Sequence, residues 1–225
     1  MSEVARIEQY FTHAAAGFDS LYDTEHASAA AKWLNRTFRR DIYERFRLSL
    51  DHMRGYGLQT VLDVGCGPGR YEIGLAEIGI RRMVGLDVSS GMIDLARELA
   101  RNWQQAKGAG SHSSFEFVHR DFAAFQSSEM FDAVLAMGFF DYVQDPAPVL
   151  ARMRGFARHS VIASLPSISW YRTPIRRLRY LHKGCPVYFY RRSEIDRLAR
   201  QAGFARHEII KIAGAGQDYF VGFFL

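Results

Sequence analysis

The sequence predicts an α/β fold: a doubly wound, mostly parallel seven-stranded sheet that ends in a C-terminal antiparallel hairpin and follows an N-terminal helical cap. Three observations lead there. From residue 60 onward, short apolar runs alternate with segments of helical period. The first run is followed by a turn, GCGPG, with three glycines in five positions. The last two strand-like runs lie 4 or 5 residues apart, too close for a crossover helix, so they must run antiparallel.

Residues 4–15 and 27–54 read as helices, the second because Leu34, Phe38, Ile42, Phe46 and Leu50 recur every fourth position among charged neighbours. Beyond GYG the period changes. TVLDV (60–64) is strand-like, RYEIGLAEIG (70–79) helix-like and RMVGLDV (82–88) strand-like. SGMIDLARELARNW (90–103) places Met92, Ala96, Leu99 and Trp103 on one helical face. FEFVH (115–119), FDAVLAM (131–137) and HSVIASL (159–165) supply the third, fourth and fifth strands. Asp145 followed by Pro146 starts a helix, and Ser193 is expected to cap another that stops at Gly203. Strands near 205–213 and 218–225 close the chain's pattern. YFVGFFL is apolar on both faces and belongs inside the sheet. Residues 166–192 show no period and read as an insertion over the carboxyl ends of the strands, where such sheets bind ligands.

Composition excludes several classes. With 225 residues, 48% hydrophobic and 24% charged, the chain suits one soluble domain with a sizeable core and not a disordered or fibrous protein. The N-terminal stretch lacks the layout of a secretory signal and no apolar run approaches a membrane span, so a cytoplasmic location is expected. Cys66 and Cys185 have no metal-ligand spacing, which speaks against a disulfide framework and a zinc site, and no metal is expected. The net charge of +5 is unevenly spread: Pro146 to Ser193 carries ten Lys or Arg and no Asp or Glu.

Gly65, Gly67 and Gly69 let the main chain approach a ligand closely, ahead of a helix whose first N–H groups are free. A plain tight turn uses similar residues, so the neighbours decide. A dinucleotide fingerprint G-x-G-x-x-G puts a third small residue where Arg70 stands here. Asp63, two residues before Gly65, would repel a phosphate and attract an ammonium. Asp87, 18 residues beyond Gly69, can accept two ribose hydroxyls. Asp121 can accept from an exocyclic amine while Phe122 lies against a flat ring. Each of these aspartates could instead cap a helix, but three at successive strand ends behind one such loop point to a ligand with an amino acid end, a ribose and an adenine.

With these residues in hand the sequence resembles a class I S-adenosylmethionine-dependent methyltransferase, Rossmann-like in fold, over roughly 55–165 and again over 193–225. VLDVGCGPG is similar to that family's first motif, VGLDVSSGMIDLAR to its second, FVHRDF to its third and AMGFFDYVQD to its fourth. The resemblance implies S-adenosyl-L-methionine as cofactor, with Gly65, Cys66, Gly67 and Gly69 around its methionine moiety and Asp63 near its ammonium. It further implies Asp87 on the ribose, Val88 and Met92 on the adenine, Asp121 at its amino group, and Met137 and Gly138 beside the cofactor. IEQYFTHAAAGFDSLYD resembles a helix that closes over the cofactor, which would bring Tyr10, Phe18 or Tyr22 near the methyl group. The chain then divides into a helical cap over 1–54 and a cofactor-binding domain over 55–225 with a lid-like insertion at 166–192. Motif four departs from relatives that methylate nucleic-acid bases: GFFDYV lacks an Asn or Asp followed by two prolines and an aromatic.

A sulfonium donor is already activated, so the protein's task is to hold a nucleophile in line with the methyl carbon. A general base matters only where the acceptor must lose a proton. His13, Asp141 and Tyr142 lead as candidates, with Tyr22 and His182 behind, although each could equally be a packed or solvated side chain. For the acceptor, the sequence offers Tyr22, Phe139, Trp170, Tyr171, Arg176, Arg177, Arg179 and Tyr188. Residues 166–192 hold seven basic groups and six aromatic rings. They read either as an amphipathic lid with solvated arginines, or as a cover that pairs with an anionic group. A peripheral contact with an anionic membrane surface is a further reading. The expected function is methyl transfer to a small acceptor, anionic or lipid-like. An RNA or protein methyltransferase, a cofactor-binding module without catalysis, and, against Arg70, an NAD-dependent oxidoreductase are the alternatives; nucleic acid is not expected as the partner.

Overall fold

A computed structural model of the chain describes residues 3–18, 40–108, 112–170, 173–174, 178, 187–212 and 218–225. Its elements, in order, are α1 (Glu3–Phe18), α2 (Arg40–Gly55), β1 (Thr60–Val64), α3 (Arg70–Glu77), β2 (Arg82–Asp87), α4 (Ser90–Lys107), β3 (Ser114–His119), β4 (Phe131–Ala136), α5 (Pro146–Arg154), β5 (Ala157–Leu165), α6 (Arg192–Gln201), β6 (Arg206–Lys211) and β7 (Tyr219–Phe224). One sheet takes the order β3-β2-β1-β4-β5-β7-β6. β1 to β5 pair in parallel, and β7 runs antiparallel to both β5 and β6.

Strand order reverses beside β1, which has β2 on one side and β4 on the other. Sheets of this kind open a crevice at that point, outside the carboxyl ends of the strands. β1 runs into the glycine turn and β4 into Met137 and Gly138, so the first and fourth motifs share the crevice.

Both faces of the sheet are covered, which is why the central strands are apolar throughout. On one face Leu62, Val64, Val134, Val161 and Val221 pack with Leu150, Met153, Ile195 and Leu198 of α5 and α6. On the other, Val61, Met83, Leu135, Ile162 and Phe220 meet Met53 of α2 and Leu75 and Ala76 of α3. Fully buried side chains of this size each contribute about 1.5–3 kcal/mol. The interior position expected for YFVGFF holds: Phe220, Val221, Phe223 and Phe224 are buried between β5 and β6.

Two helix starts differ from expectation. The cap of α6 is Arg191 and not Ser193, because Glu194 Oε2 accepts from the Arg191 N–H at 2.6 Å and so supplies the glutamate half of a capping box two residues earlier, although the Arg191 side chain, a donor only, makes no capping bond in return. Asp145 does cap α5 with Pro146 behind it, yet its side chain makes no capping hydrogen bond. Of the helix expected over 27–54, α2 covers the second half, and residues 27–39 lie outside the described residues.

Candidate active site

The glycine turn is built by its backbone. Gly65, Gly67 and Gly69 all have positive φ (79°, 55° and 79°), which side-chain-bearing residues adopt only at a cost. Gly65 N and Cys66 N both donate to Leu86 O, at 2.8 and 2.9 Å, fixing the turn against the end of β2. A methyl group on Gly65 would stand 3.1 Å from the Phe139 ring, whereas around Gly67 such a group would meet nothing within 4 Å. The turn is thus closed toward the fourth motif and open at its tip.

Asp87, at the end of β2, bridges this turn to α4: Gly67 N donates to its Oδ2 at 2.9 Å and Ser89 N to its Oδ1 at 2.8 Å. Each oxygen keeps a second lone pair for a ligand hydroxyl. Burial pushes the Asp87 carboxyl up, against the pull of those N–H donors. Val88 is half-buried beside it. Met92 is 1% exposed and lies in the first turn of α4. Asp121 caps a 3-10 turn over Phe122–Ala124, its Oδ1 accepting from Ala123 N at 3.0 Å, so the capping role open to it in the sequence is realised. The Phe122 ring is buried against Phe156, under the Arg152 guanidinium.

Asp63 is 2% exposed, and neither of its oxygens has a hydrogen-bond partner among the described residues. Beneath it stands Glu72 of α3, fully buried and likewise unpartnered at both oxygens. Burial, then the neighbouring Asp87 charge, pushes the Asp63 carboxyl up to about 7. Glu72 is driven well above the usual carboxylate range by burial and by Asp63, and the Cys66 thiol is raised by burial and the same acids. Buried carboxylates without donors are costly, and they mark the place where a cation is wanted. Sequence reasoning missed Glu72. The signal was there: Glu72, Leu75 and Ala76 lie at i, i+3 and i+4, so a carboxylate shares the face that α3 buries.

Across the crevice, Phe139, Phe140, Asp141 and Tyr142 form a tight turn behind β4. Tyr190, also missed, pins it by donating its hydroxyl to Phe140 O and Val143 O at 3.0 and 3.1 Å. Tyr188 N donates to Asp141 O at 2.8 Å. Asp141 is 5% exposed and Tyr142 half-buried. From α2, the Arg45 guanidinium reaches Ser164 Oγ at 3.1 Å, next to Gly138.

Helix α1 lies over both halves. Thr12 Oγ1 is 3.1 Å from Ser89 Oγ, and Glu8 faces His119 at 3.9 Å. Phe11 meets Tyr142 edge-on with ring centroids 5.4 Å apart, and Tyr10 packs on Phe11 at 5.0 Å. His119 Nε2 in turn contacts Val88 O at 2.9 Å. The backbone at His13 and Phe18 belongs to α1, while their side chains fall outside the described residues. So do Tyr22, Tyr171, Arg176, Arg177, Arg179 and His182. Trp170 is described and is 87% exposed.

A family described as a methyltransferase domain matches residues 61–159, the stretch from β1 to β5 that carries the glycine turn, Asp87, Asp121 and the 138–142 turn. Over that stretch the chain carries a class I S-adenosylmethionine-dependent methyltransferase domain. The unpartnered Asp63 oxygens, the open space at Gly67 and the remaining lone pairs of Asp87 fit its cofactor, S-adenosyl-L-methionine. Among solved structures, the methyltransferase resembles magnesium protoporphyrin IX methyltransferase from Synechocystis PCC 6803 with bound S-adenosylhomocysteine. The TM-score is 0.76 at 18% identity, with 99% of each chain covered. The same protein with bound S-adenosylmethionine gives 0.71 at 17% identity, over 100% of this chain and 97% of that one. Burkholderia thailandensis 1,6-didemethyltoxoflavin N1-methyltransferase gives 0.65 at 18% identity, over 98% and 87%. No curated protein matches the methyltransferase in sequence. Among the described residues, no three His, Cys, Asp or Glu are grouped to hold a metal ion, and no helix is long and apolar enough to cross a membrane.

Proposed function

We propose that this methyltransferase acts on a small, anionic acceptor held between α1 and the 138–142 turn. The observation that carries this reading is the placement of α1, which touches the cofactor side through Thr12 and Ser89 and the acceptor side through Phe11 and Tyr142. A site roofed in this way suits a compact molecule better than a nucleic acid or protein surface. The two named neighbours that match over nearly the full chain methylate, by their names, a magnesium porphyrin and a toxoflavin precursor, both small molecules.

In this reading Asp63 faces the donor's ammonium and the Gly65–Gly69 backbone, with Cys66, surrounds its methionine end. Asp87 accepts the ribose hydroxyls, Val88 and Met92 pack on the adenine, and Asp121 uses its free lone pairs on the amino group, with Phe122 firming that wall from the core. Met137 and Gly138 border the reacting end, with Tyr10 and Phe18 closing over it. The bound cofactor supplies a methyl group on a sulfonium, a leaving group that needs no acid. The protein's own part is to exclude water and align the acceptor, which Phe139 and Tyr142 do from the turn and Tyr188 from the segment bonded to it. An acceptor that is already an anion needs no proton removed; for a hydroxyl, Asp141, Tyr142 or His13 would serve as base. Tyr22 would border the acceptor from the N-terminal segment, and Trp170, Tyr171, Arg176, Arg177 and Arg179 would cover it from the basic insertion, whose forked guanidinium groups suit a carboxylate or phosphate.

Incubation of the purified protein with radiolabelled donor and a fractionated cell extract tests this reading. Label should enter the small-molecule fraction with wild type, vanish with Asp63→Ala, and fall when Arg176, Arg177 and Arg179 are neutralised together although donor binding persists. Label confined to RNA or protein would overturn it, and donor binding without any labelled product would leave a binding module.

The exposure of Ile168, Trp170 and Leu178, at 47%, 87% and 69%, favours a second reading in which the basic insertion also touches an anionic lipid surface. Co-sedimentation with phosphatidylglycerol vesicles, lost on Trp170→Ala and at high salt, supports it; equal recovery with and without vesicles ends it.

A further inference from the structure

Glu72 is the unexplained group of the site. It sits on the buried face of α3, where an apolar side chain would pack with Leu75 and Ala76. Space has been cleared for it: β1 and β2 place Gly85 opposite Asp63, and a methyl group on Gly85 would stand 2.7 Å from Glu72 Oε1 and 2.9 Å from Cys66 Sγ. The carboxylate therefore occupies the volume that a side chain at 85 would fill, alongside Asp63. All four oxygens of the two acids are buried and lack partners among the described residues. Two ionised carboxylates so placed repel each other and have no donor between them, whereas one proton shared across the pair supplies a donor and removes a charge.

We infer that Glu72 is a positioning residue for the donor: it shares one proton with Asp63 while the site is free, and that proton leaves to solvent when the donor's ammonium arrives. The inference rests on the assignment of Asp63 to the ammonium. The step balances simply. The O–H bond of the shared proton breaks, the proton passes to water, and the pair gains one negative charge opposite the incoming positive one. The other ionisable groups around the pair are Asp87 and the Cys66 thiol, with His119 facing Asp87 from β3. The elevated carboxyl of Asp63 is consistent with a proton still held near neutrality. Such a site discriminates by charge. An analogue lacking the amino group has nothing to offer in exchange for the proton.

S-adenosylhomocysteine, which carries the same ammonium, is the probe. Calorimetric titration at about pH 6 in two buffers of different ionisation enthalpy reads the protons released per molecule bound. Wild type should release close to one, falling toward none as the pH rises past about 8 and the pair empties beforehand. Glu72→Gln, which keeps the volume and supplies an amide donor to Asp63, should still bind, within about tenfold, while releasing less than about a third of a proton. Wild-type binding without proton release at about pH 6, or equal release by Glu72→Gln, overturns the inference. If Asp63→Asn binds the probe as tightly as wild type, the assignment of Asp63 itself fails. That outcome is separate, because it is read from affinity and not from protons.

Discussion

Ser164 Oγ is the meeting point of two segments: Gly138 N donates to it at 2.7 Å and Arg45 Nη1 at 3.1 Å. Through this one buried hydroxyl, at 1% exposure, helix α2 and strand β5 together hold the positive-φ turn that follows β4. Ser164→Ala removes the shared acceptor and leaves a backbone N–H without it. The variant should lose about 1–3 kcal/mol in urea unfolding. Ser164→Thr, which keeps the hydroxyl, should recover part of the loss.

Asp63 should make the free protein less stable as the pH rises. An acid whose folded-state pKa is raised contributes stability that is complete below its unfolded value and is lost as the pH climbs through the folded one, here about 7. Asp63→Asn removes that loss. Relative to wild type, the variant's unfolding midpoint should therefore rise between about pH 4 and pH 8, even though it binds S-adenosylhomocysteine poorly. A difference that stays flat over this range would show that Asp63 is not strained by burial.

His52 works in the opposite direction. Its ring, hydrogen-bonded to Ser160 Oγ at 2.8 Å and packed near His159, is pushed down to about 4 by burial and then by His159. A histidine with a lowered folded-state pKa takes up its proton more readily when unfolded, so stability falls as the pH drops from about 6.5 to about 4. The full effect is roughly 3 kcal/mol. His52→Gln should flatten the acid side of a stability profile measured by denaturant unfolding. An unchanged profile would place the acid sensitivity elsewhere.

Phe11→Ala takes away the ring that meets Tyr142. An edge-on aromatic pair is worth about 0.5–1.5 kcal/mol. If the contact joins a roof to the acceptor turn, as proposed, the loss should appear as a fall of about tenfold in kcat/KM for the acceptor. Thermal unfolding should move little, since Phe11 is only partly buried. A large loss of fold stability with unchanged kcat/KM would make α1 a structural brace and not a roof.

The strands were legible because each is a short apolar run with sharp borders: TVLDV is β1 residue for residue, and β2 and β4 differ from their expected ends by a single residue. The acids at the strand ends were legible for the same reason, since a carboxylate after an apolar run stands out. Glu72 was not, because an acid within a helix is ordinarily read as solvent-facing, and only the burial of its i+3 and i+4 neighbours says otherwise. Ser164, Arg45, His119 and Tyr190 depend on contacts across 26 to 119 positions of chain, which no local pattern encodes. The α6 cap was misplaced because Ser193 and Glu194 are adjacent, and the glutamate reaching back to Arg191 N wins over the serine hydroxyl.

β6 touches the sheet only through β7, and β7 is made after it. A ribosome therefore exports β6 before the strand that will seat it exists. During that interval the β5 edge, rich in apolar side chains, stays bare. Slow synthesis just ahead of residue 219 would prolong that window, and a chaperone that shields strand edges would have its main task there.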